Sequence, residues 1–161
     1  MKKKTTVQEV FKLITMFMVL LIITSCQTFS TRYYQDSNGI AIHGYDPVAY
    51  FEEGAPTQGS PDFVHIWEGA TWRFAFQENL DVFAADPASY TPAFGGYCAW
   101  AVSQNDLAEV DPEYWSIVDG KLYLNKDREA HENWLASQQE SIALGNQYWP
   151  ELSAGLSSSS Q

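Results

Sequence analysis

The sequence predicts a small α+β domain with two β-hairpins and about three helices. Two pairs of apolar segments flank short turns, Glu68-Gly69-Ala70 and Asp119-Gly120, and turns of this kind join antiparallel strands. Apolar residues at helical spacing follow each hairpin. Hairpins and helices that follow one another in separate runs, without regular strand–helix–strand units, are typical of α+β folds.

Each predicted element is set by its pattern and by the residues that end it. Asp86-Pro87 ends the first helix because the residue before a proline avoids helical geometry, Asn125 caps the last helix and Gly145 stops it. The predicted elements, in order, are a short strand at 48–51, a hairpin of 62–68 and 71–76, helices over 77–85 and 97–103, a second hairpin of 115–118 and 122–124, and a long helix over 125–144.

The N-terminus has the pattern of a targeting segment. Three lysines follow Met1, and an apolar stretch then covers residues 13–23 with one threonine inside it. Eleven helical residues rise about 16 Å, which is too short for a hydrocarbon core about 30 Å thick. The segment therefore fits a signal peptide better than a spanning helix.

Ile23-Thr24-Ser25-Cys26 closes this segment and resembles the lipobox of bacterial lipoproteins. The resemblance implies cleavage before Cys26 and attachment of acyl chains such as palmitate through its sulfur, which gives a firm membrane anchor. The other interpretation is an ordinary secretory signal with a chance cysteine. Gln27 stands where Asp would favour retention at the inner membrane, so we expect an outer-membrane protein that faces the periplasm.

The remaining chain is predicted as one acidic domain with flexible ends. We expect a signal peptide at 1–25, a lipidated cysteine and tether at 26–38, the domain at 39–150 and a disordered Ser-rich tail at 151–161. The first 25 residues hold four of the nine Lys and Arg and one of the twenty Asp and Glu, so the mature chain has a net charge of −14. Such a charge disfavours nucleic acids and anionic headgroups as partners.

Five motifs in order resemble the YHS domain family in the form found in small exported bacterial proteins. The similarity covers about residues 39–150 and implies a compact α+β fold. The motifs are Ile42-His43-Gly44-Tyr45-Asp46-Pro47-Val48-Ala49-Tyr50-Phe51, Trp67-Glu68-Gly69-Ala70-Thr71-Trp72-Arg73-Phe74, the helix within 79–90, Pro92-Ala93-Phe94-Gly95-Gly96-Tyr97-Cys98-Ala99, and Val118-Asp119-Gly120-Lys121-Leu122-Tyr123-Leu124-Asn125, with a closing Trp149-Pro150.

The metal-binding branch of that family carries cysteines that this chain lacks. Ala49 follows Asp46-Pro47-Val48 where that branch has a cysteine, and Ala75 follows Phe74 at the second cysteine motif. Alanine cannot ligate a metal, so the thiolate site of that branch is not expected here.

Cys98 is the one thiol left once Cys26 carries lipid, so no internal disulfide can form. We expect it in the first turn of a helix, where free amides would favour the thiolate and give a metal or redox ligand. The alternative is a small buried residue. His65 and His131 could complete a site for copper or haem if the fold brought them to Cys98, although lone histidines beside apolar faces are usually structural.

Four residues are candidates for a ligand pocket: Tyr45, Asp46, Tyr97 and Cys98. An aromatic concavity closed by Trp100 would suit an apolar ligand such as a quinone, a haem or a lipid. The alternative is that these aromatic side chains form the core.

Three functions remain open from the sequence. The first is a non-enzymatic binding or accessory module, tethered to the envelope membrane, with an unidentified envelope partner. The second is a metal or cofactor protein that uses Cys98 with His65 or His131. The third is a thiol-dependent enzyme, which ranks last because the chain has no Gly-x-Ser-x-Gly, His-Glu-x-x-His or phosphate-loop motif.

Overall fold

A computed structural model describes residues 32–158 of the chain. Within this part, two separate antiparallel hairpins form the sheets. Strand β1 (Ser60–Trp67) pairs with β2 (Ala70–Phe74), and β3 (Asp111–Val118) pairs with β4 (Lys121–Asn125). A register irregularity interrupts each hairpin near the start of its first strand. Both predicted hairpins are confirmed, with strand bounds that shift by up to four residues.

The two hairpin turns have the geometry that their residues predict. Both central residues of each turn have positive φ, at 44° and 77° for Glu68 and Gly69, and at 50° and 72° for Asp119 and Gly120. This is the pattern of a type I′ turn, whose twist matches that of the flanking strands. The side chains of β2 then alternate, so that Ala70, Trp72 and Phe74 are buried.

Six α-helices surround the hairpins in the described residues, against about three that the sequence predicts. Three of them span five residues or fewer, which is too short to give a clear apolar period. Two 3-10 turns, Ile42–Gly44 and Ala93–Gly96, complete the architecture. The helices are α1 (Ala49–Glu52), α2 (Gln77–Ala85), α3 (Pro87–Tyr90), α4 (Ala99–Ser103), α5 (Arg128–Ala136) and α6 (Gln138–Ser158).

Residues 48–51, predicted as a strand, lie instead at the start of α1. The Asp46 carboxylate accepts hydrogen bonds from the amides of Val48 and Ala49, at 2.8 and 3.3 Å. These bonds satisfy amides that a helix start leaves open. The chain therefore turns into a helix where its apolar run is typical of a strand.

The long helix predicted over 125–144 is two helices that break at Ser137. Asp127, rather than Asn125, caps α5 by accepting a hydrogen bond from the amide of Ala130. The Ser137 hydroxyl donates to the carbonyl of Asn133 and bonds to the Ser141 hydroxyl, which is the local competition that breaks helices. Gly145 lies inside α6 and does not end it.

Both predicted flexible ends are partly ordered. Residues 151–158, predicted as part of a disordered tail, continue α6. Residues 32–38, predicted as tether, lie against the domain, where Tyr33 is buried and Gln35 forms a bridge with Ala41. No helix within residues 32–158 is long and apolar enough to cross a membrane.

The core has two connected parts. In the larger part, α2 packs on the first hairpin, with the Phe83 ring 5.3 Å from the Trp72 ring and 5.1 Å from the Phe74 ring. In the smaller part, β4 meets the helices, with the Tyr123 ring 5.2 Å from the Trp134 ring. The N-terminal segment and α6 meet at the second 3-10 turn, and this meeting place positions the candidate site.

Candidate functional site

Two turns with left-handed backbone meet near the start of the described chain. Residues 42–44 and 94–96 all have positive φ, between 42° and 79°. A Cβ on Gly96 would lie 3.0 Å from Cγ2 of Ile42, so the turns pack directly on each other. Left-handed geometry is unfavourable for a β-branched residue such as Ile42, and strain of about 1–3 kcal/mol per residue is concentrated at functional sites.

The N-terminal segment crosses directly over the second turn. The amide of Tyr34 donates a hydrogen bond to the carbonyl of Gly95 at 2.8 Å. A Cβ on Gly95 would collide with the carbonyl oxygen of Arg32 and would lie 3.0 Å from Cη2 of Trp149. Only glycine allows this approach, so Gly95 fixes a junction, defined here as Arg32 against Gly95 and Trp149, where the chain joins the domain.

Four half-buried rings surround this junction: Tyr34, His43, Tyr97 and Trp149. We call them the aromatic patch. The Tyr34 ring lies 5.2 Å from that of His43 and 5.6 Å from that of Tyr97, which lies 6.1 Å from Trp149. These are spacings of edge-on and tilted aromatic pairs, so the patch is a connected surface whose rings are partly exposed.

His43 ties the patch to the second hairpin. Its Nε2 lies 3.1 Å from the Tyr34 hydroxyl and 3.1 Å from the carbonyl oxygen of Val110. A carbonyl only accepts, so that bond requires a proton on Nε2, whereas the Tyr34 hydroxyl can donate only to a bare Nε2. The tautomer of His43 therefore decides which bond is strong.

The tyrosines of the patch stay neutral near pH 7. Burial raises the pKa of Tyr34, and the nearby carboxylates Glu109 and Asp36 raise it further. Burial also raises the pKa of Tyr97. The patch therefore presents uncharged amphipathic rings beside acidic side chains.

Asp46, a predicted pocket residue, is fully buried and holds four hydrogen bonds. Oδ1 accepts from the amides of Val48 and Ala49, while Oδ2 accepts from the amide of Ala75 and from Nδ2 of Asn79, both at 2.8 Å. The carboxylate joins α1, the end of β2 and α2. Its acceptor sites serve the fold rather than a ligand.

Cys98 is fully buried at the start of α4, and its thiol faces an amide side chain. Sγ lies 3.8 Å from Oδ1 of Asn125, which also accepts from the amide of Trp100 at 3.2 Å. Burial raises the pKa of the thiol, and the amides of Ala101 and Lys126 offset that only in part. Cys98 therefore has the surroundings of a small buried residue, which was the alternative to a metal or redox ligand.

The two other predicted metal ligands have separate neighbours. The His65 ring packs against that of Phe83 at 5.9 Å, and Nε2 of His131 lies 3.0 Å from the hydroxyl of Ser116. Among residues 32–158, no three His, Cys, Asp or Glu side chains lie close enough together to hold a metal ion. The described structure thus gives Cys98 no cluster with the histidines.

Tyr45 and Trp100 line different surfaces. The Tyr45 hydroxyl donates to Oε1 of Glu113 at 3.2 Å, beside Tyr50, whose hydroxyl donates to the carbonyl of Pro112. Trp100 lines a recess of about 100 Å³ at the start of α5, with Lys126, Asp127, Glu129, Ala130 and Asn133. The four predicted pocket residues therefore do not share one concavity among those described.

A comparison with known protein families, curated proteins and solved structures finds no match. The resemblance to YHS domains rests on the five sequence motifs and stays a prediction. Cys26 and the targeting segment lie outside the described residues, so lipidation also stays a prediction.

Tyr34 and Asn125 were not among the residues that the sequence predicts for these sites. Tyr34 lies in a segment that was predicted to be tether, and the role of Asn125 toward Cys98 depends on contacts 27 residues apart along the chain. The consecutive glycines at 95 and 96 were the available signal, because they indicate close backbone contact.

Proposed function

We propose that the chain is a lipid-anchored module of the bacterial cell envelope. Its YHS-like domain serves as a binding or accessory unit rather than an enzyme. The anchor is the lipid on Cys26, and the contact surface of the domain is the aromatic patch.

The observation that carries this proposal is that the reactive side chains already form hydrogen bonds within the fold. Asp46 holds four internal hydrogen bonds, Cys98 is buried against Asn125, and His131 bonds to Ser116. A nucleophile needs access to its substrate and a base within reach. Side chains that are already committed to structure support a function at the surface.

The aromatic patch supports a contact role for a second reason. Its half-exposed tyrosine and tryptophan rings pack on one another beside the two strained turns, so binding would order few side chains. Tyr and Trp are enriched at contact surfaces because one end is apolar and the other can hydrogen-bond.

Membrane fractionation with two cysteine variants tests the anchor. We expect the wild type and Cys98→Ala in the membrane fraction, where detergent but not high salt releases them. Cys26→Ala should be either soluble or an uncleaved form that keeps residues 1–25, and the intact mass of the protein distinguishes these two forms. Since the two variants each remove one thiol, a Cys26→Ala protein of mature mass that fractionates with the membrane like the wild type and Cys98→Ala would contradict the proposal.

One observation favours a second function, namely a metal or cofactor protein that uses Cys98. Nδ2 of fully buried Asn125 has no hydrogen-bond partner within the described part of the chain, and backbone amides surround the nearby thiol. Such unpaired groups call for an explanation, and redox roles and bound ions are among the known ones.

Elemental analysis by mass spectrometry separates the two functions. The protein is purified from its exported form without chelators and then challenged with copper and zinc. The binding module predicts no stoichiometric metal in the wild type or in Cys98→Ala. Stoichiometric metal that is lost in Cys98→Ala would establish the second function instead.

A further inference from the structure

A groove of about 380 Å³ lies between the loop after α4 and the C-terminal part of α6. Its apolar wall is made by three half-buried leucines, and its polar groups are one amide and one carboxylate. The lining residues are Asn105, Leu107, Glu151, Leu152, Gly155 and Leu156.

The groove continues directly from the junction. Trp149 contacts the junction, and Leu152 and Leu156 follow it on α6 at spacings of three and four residues. Residues at these spacings lie on one face of a helix. An apolar stripe therefore runs about 10 Å along α6, from the point where the chain joins the domain into the groove. Trp149 and Leu152 pack partly against the smaller part of the core, and the stripe offers the half of these side chains that stays exposed.

The length of chain before the junction limits where this face can point. Five residues separate Cys26 from Arg32, so the Cα atoms of these two residues lie at most about 20 Å apart. A domain of this size is about 35 Å across. A lipid on Cys26 would therefore keep the junction close to the bilayer, with the far side of the domain turned away from it.

We propose that the stripe of Trp149, Leu152 and Leu156, with the groove beside it, lies against the surface of the lipid bilayer. This inference rests on the proposed anchor and names the partner of the Trp149 end of the aromatic patch. The leucines contact the apolar boundary of the bilayer, and the Trp149 ring lies at headgroup level, where tryptophan is enriched.

The charge of the mature chain selects the kind of lipid. A net charge of −14 repels anionic headgroups, and Glu151 lines the groove itself. A zwitterionic surface allows contact, because its ammonium groups can approach Glu151. Among the described residues, Ile66 on β1 is the most exposed large apolar side chain, at 72%, and it is the main rival contact point.

Fluorescence quenching in vesicles tests the orientation. The complete lipoprotein carries bimane on Leu156→Cys or on Ile66→Cys, and selective labelling is expected because Cys98 is buried and Cys26 is in thioether linkage. Each protein is reconstituted in phosphatidylcholine vesicles with brominated acyl chains. Gly155→Cys gives a second groove site, since a Cβ there meets no atom within 4 Å.

We expect at least about twofold stronger quenching at positions 155 and 156 than at 66. Equal quenching, or stronger quenching at 66, overturns the orientation while leaving the anchor intact, provided that the mass of the protein shows lipid on Cys26. A protein that carries no lipid on Cys26 overturns the anchor and the orientation together. Replacing phosphatidylcholine with anionic lipid should weaken quenching at 156, and unchanged quenching would overturn the role of charge.

Discussion

At the scale of single residues, the buried carboxylate of Asp46 connects three elements that are distant in sequence. Its bonds reach Val48, Ala75 and Asn79. Asp46 was predicted to line a ligand pocket, because its partners up to 33 positions away along the chain were not visible in the sequence. A residue type predicts the chemistry that is available, whereas the fold decides where that chemistry is used.

Asp46→Asn should destabilise the domain strongly. The new amide would turn an NH₂ group toward donors that now find a carboxylate, so buried N–H groups would be left unpaired at a total cost of about 2–5 kcal/mol. Urea unfolding measures the change. The exposed Asp62→Asn should change the free energy of unfolding by less than about 0.5 kcal/mol, and equal effects of both would contradict the assigned role.

Cys98 should react slowly with alkylating reagents in the native protein. Burial removes the thiol from solvent and raises its pKa, so little thiolate is present at pH 7.5. Mass spectrometry of a Val82→Cys variant gives an internal comparison at an exposed site. We expect alkylation of Cys98 to be at least about tenfold slower, with equal rates in urea. Rapid native alkylation would revive the thiol-dependent enzyme.

At the scale of elements, local signals predicted well and distant contacts did not. The Asp119-Gly120 turn and α2 over residues 77–85 follow from neighbouring residues, and both are found as predicted. The strand predicted at 48–51 is helical because the Asp46 side chain turns the backbone. Gly145 was predicted to end a helix. It lies instead inside α6, packed against the ring of Phe94, which is 51 residues earlier in the chain.

Gly145→Ala should destabilise the contact between α6 and the second left-handed turn. A Cβ at Gly145 would collide with the Phe94 ring, and overpacking of this kind costs about 1–3 kcal/mol. Gly155→Ala on the same helix meets no atom within 4 Å and should stabilise by up to about 1 kcal/mol through helix propensity. Thermal unfolding compares the two variants, and stabilisation by both would contradict this packing.

The partial burial of His131 on α5, which bonds to Ser116 on β3, should make stability depend on pH. Desolvation lowers the pKa of His131 below its ordinary value, against a smaller opposite effect of Glu132. As the pH falls below about 6.5, the unfolded chain gains a proton that the native state resists, so stability should decrease. Above that range His131 is neutral in both states, and its contribution is constant.

His131→Gln isolates this effect from the other titrating groups. Glutamine can still bond to Ser116 but cannot titrate between pH 5 and 8. The melting temperature of the wild type should fall more than that of His131→Gln between pH 7.5 and 5. Parallel pH curves for the two proteins would show that His131 does not contribute to the pH dependence of stability. The neighbouring Arg128 and Tyr114 are present in both proteins and do not affect the comparison.

At the scale of the whole molecule, the sequence predicted the α+β class and both hairpins, and these are confirmed. It did not predict that residues 32–38 cross over Gly95, or that α6 extends to Ser158. Both features depend on packing between the two ends of the domain. Such packing gives neither segment a local hydrophobic period that the sequence would reveal. Three of the four patch residues, His43, Tyr97 and Trp149, lie in the YHS-like motifs, but only Tyr97 was predicted as a site residue.

The proposed anchor joins this fold to a membrane through the chain before Arg32. The junction, the aromatic patch and the leucine groove lie next to one another, so a lipid on Cys26 would bring all three close to the bilayer. A domain without this anchor would have no reason to orient, and the acidic charge alone would keep it in solution.

The most direct test of the anchored module is mass spectrometry of the N-terminal peptide from protein extracted from membranes. The proposed anchor predicts a peptide that begins at Cys26 and carries diacylglycerol through the sulfur, with Gln27 as its second residue. A peptide that begins elsewhere, or that contains an unmodified Cys26, would contradict the anchored module.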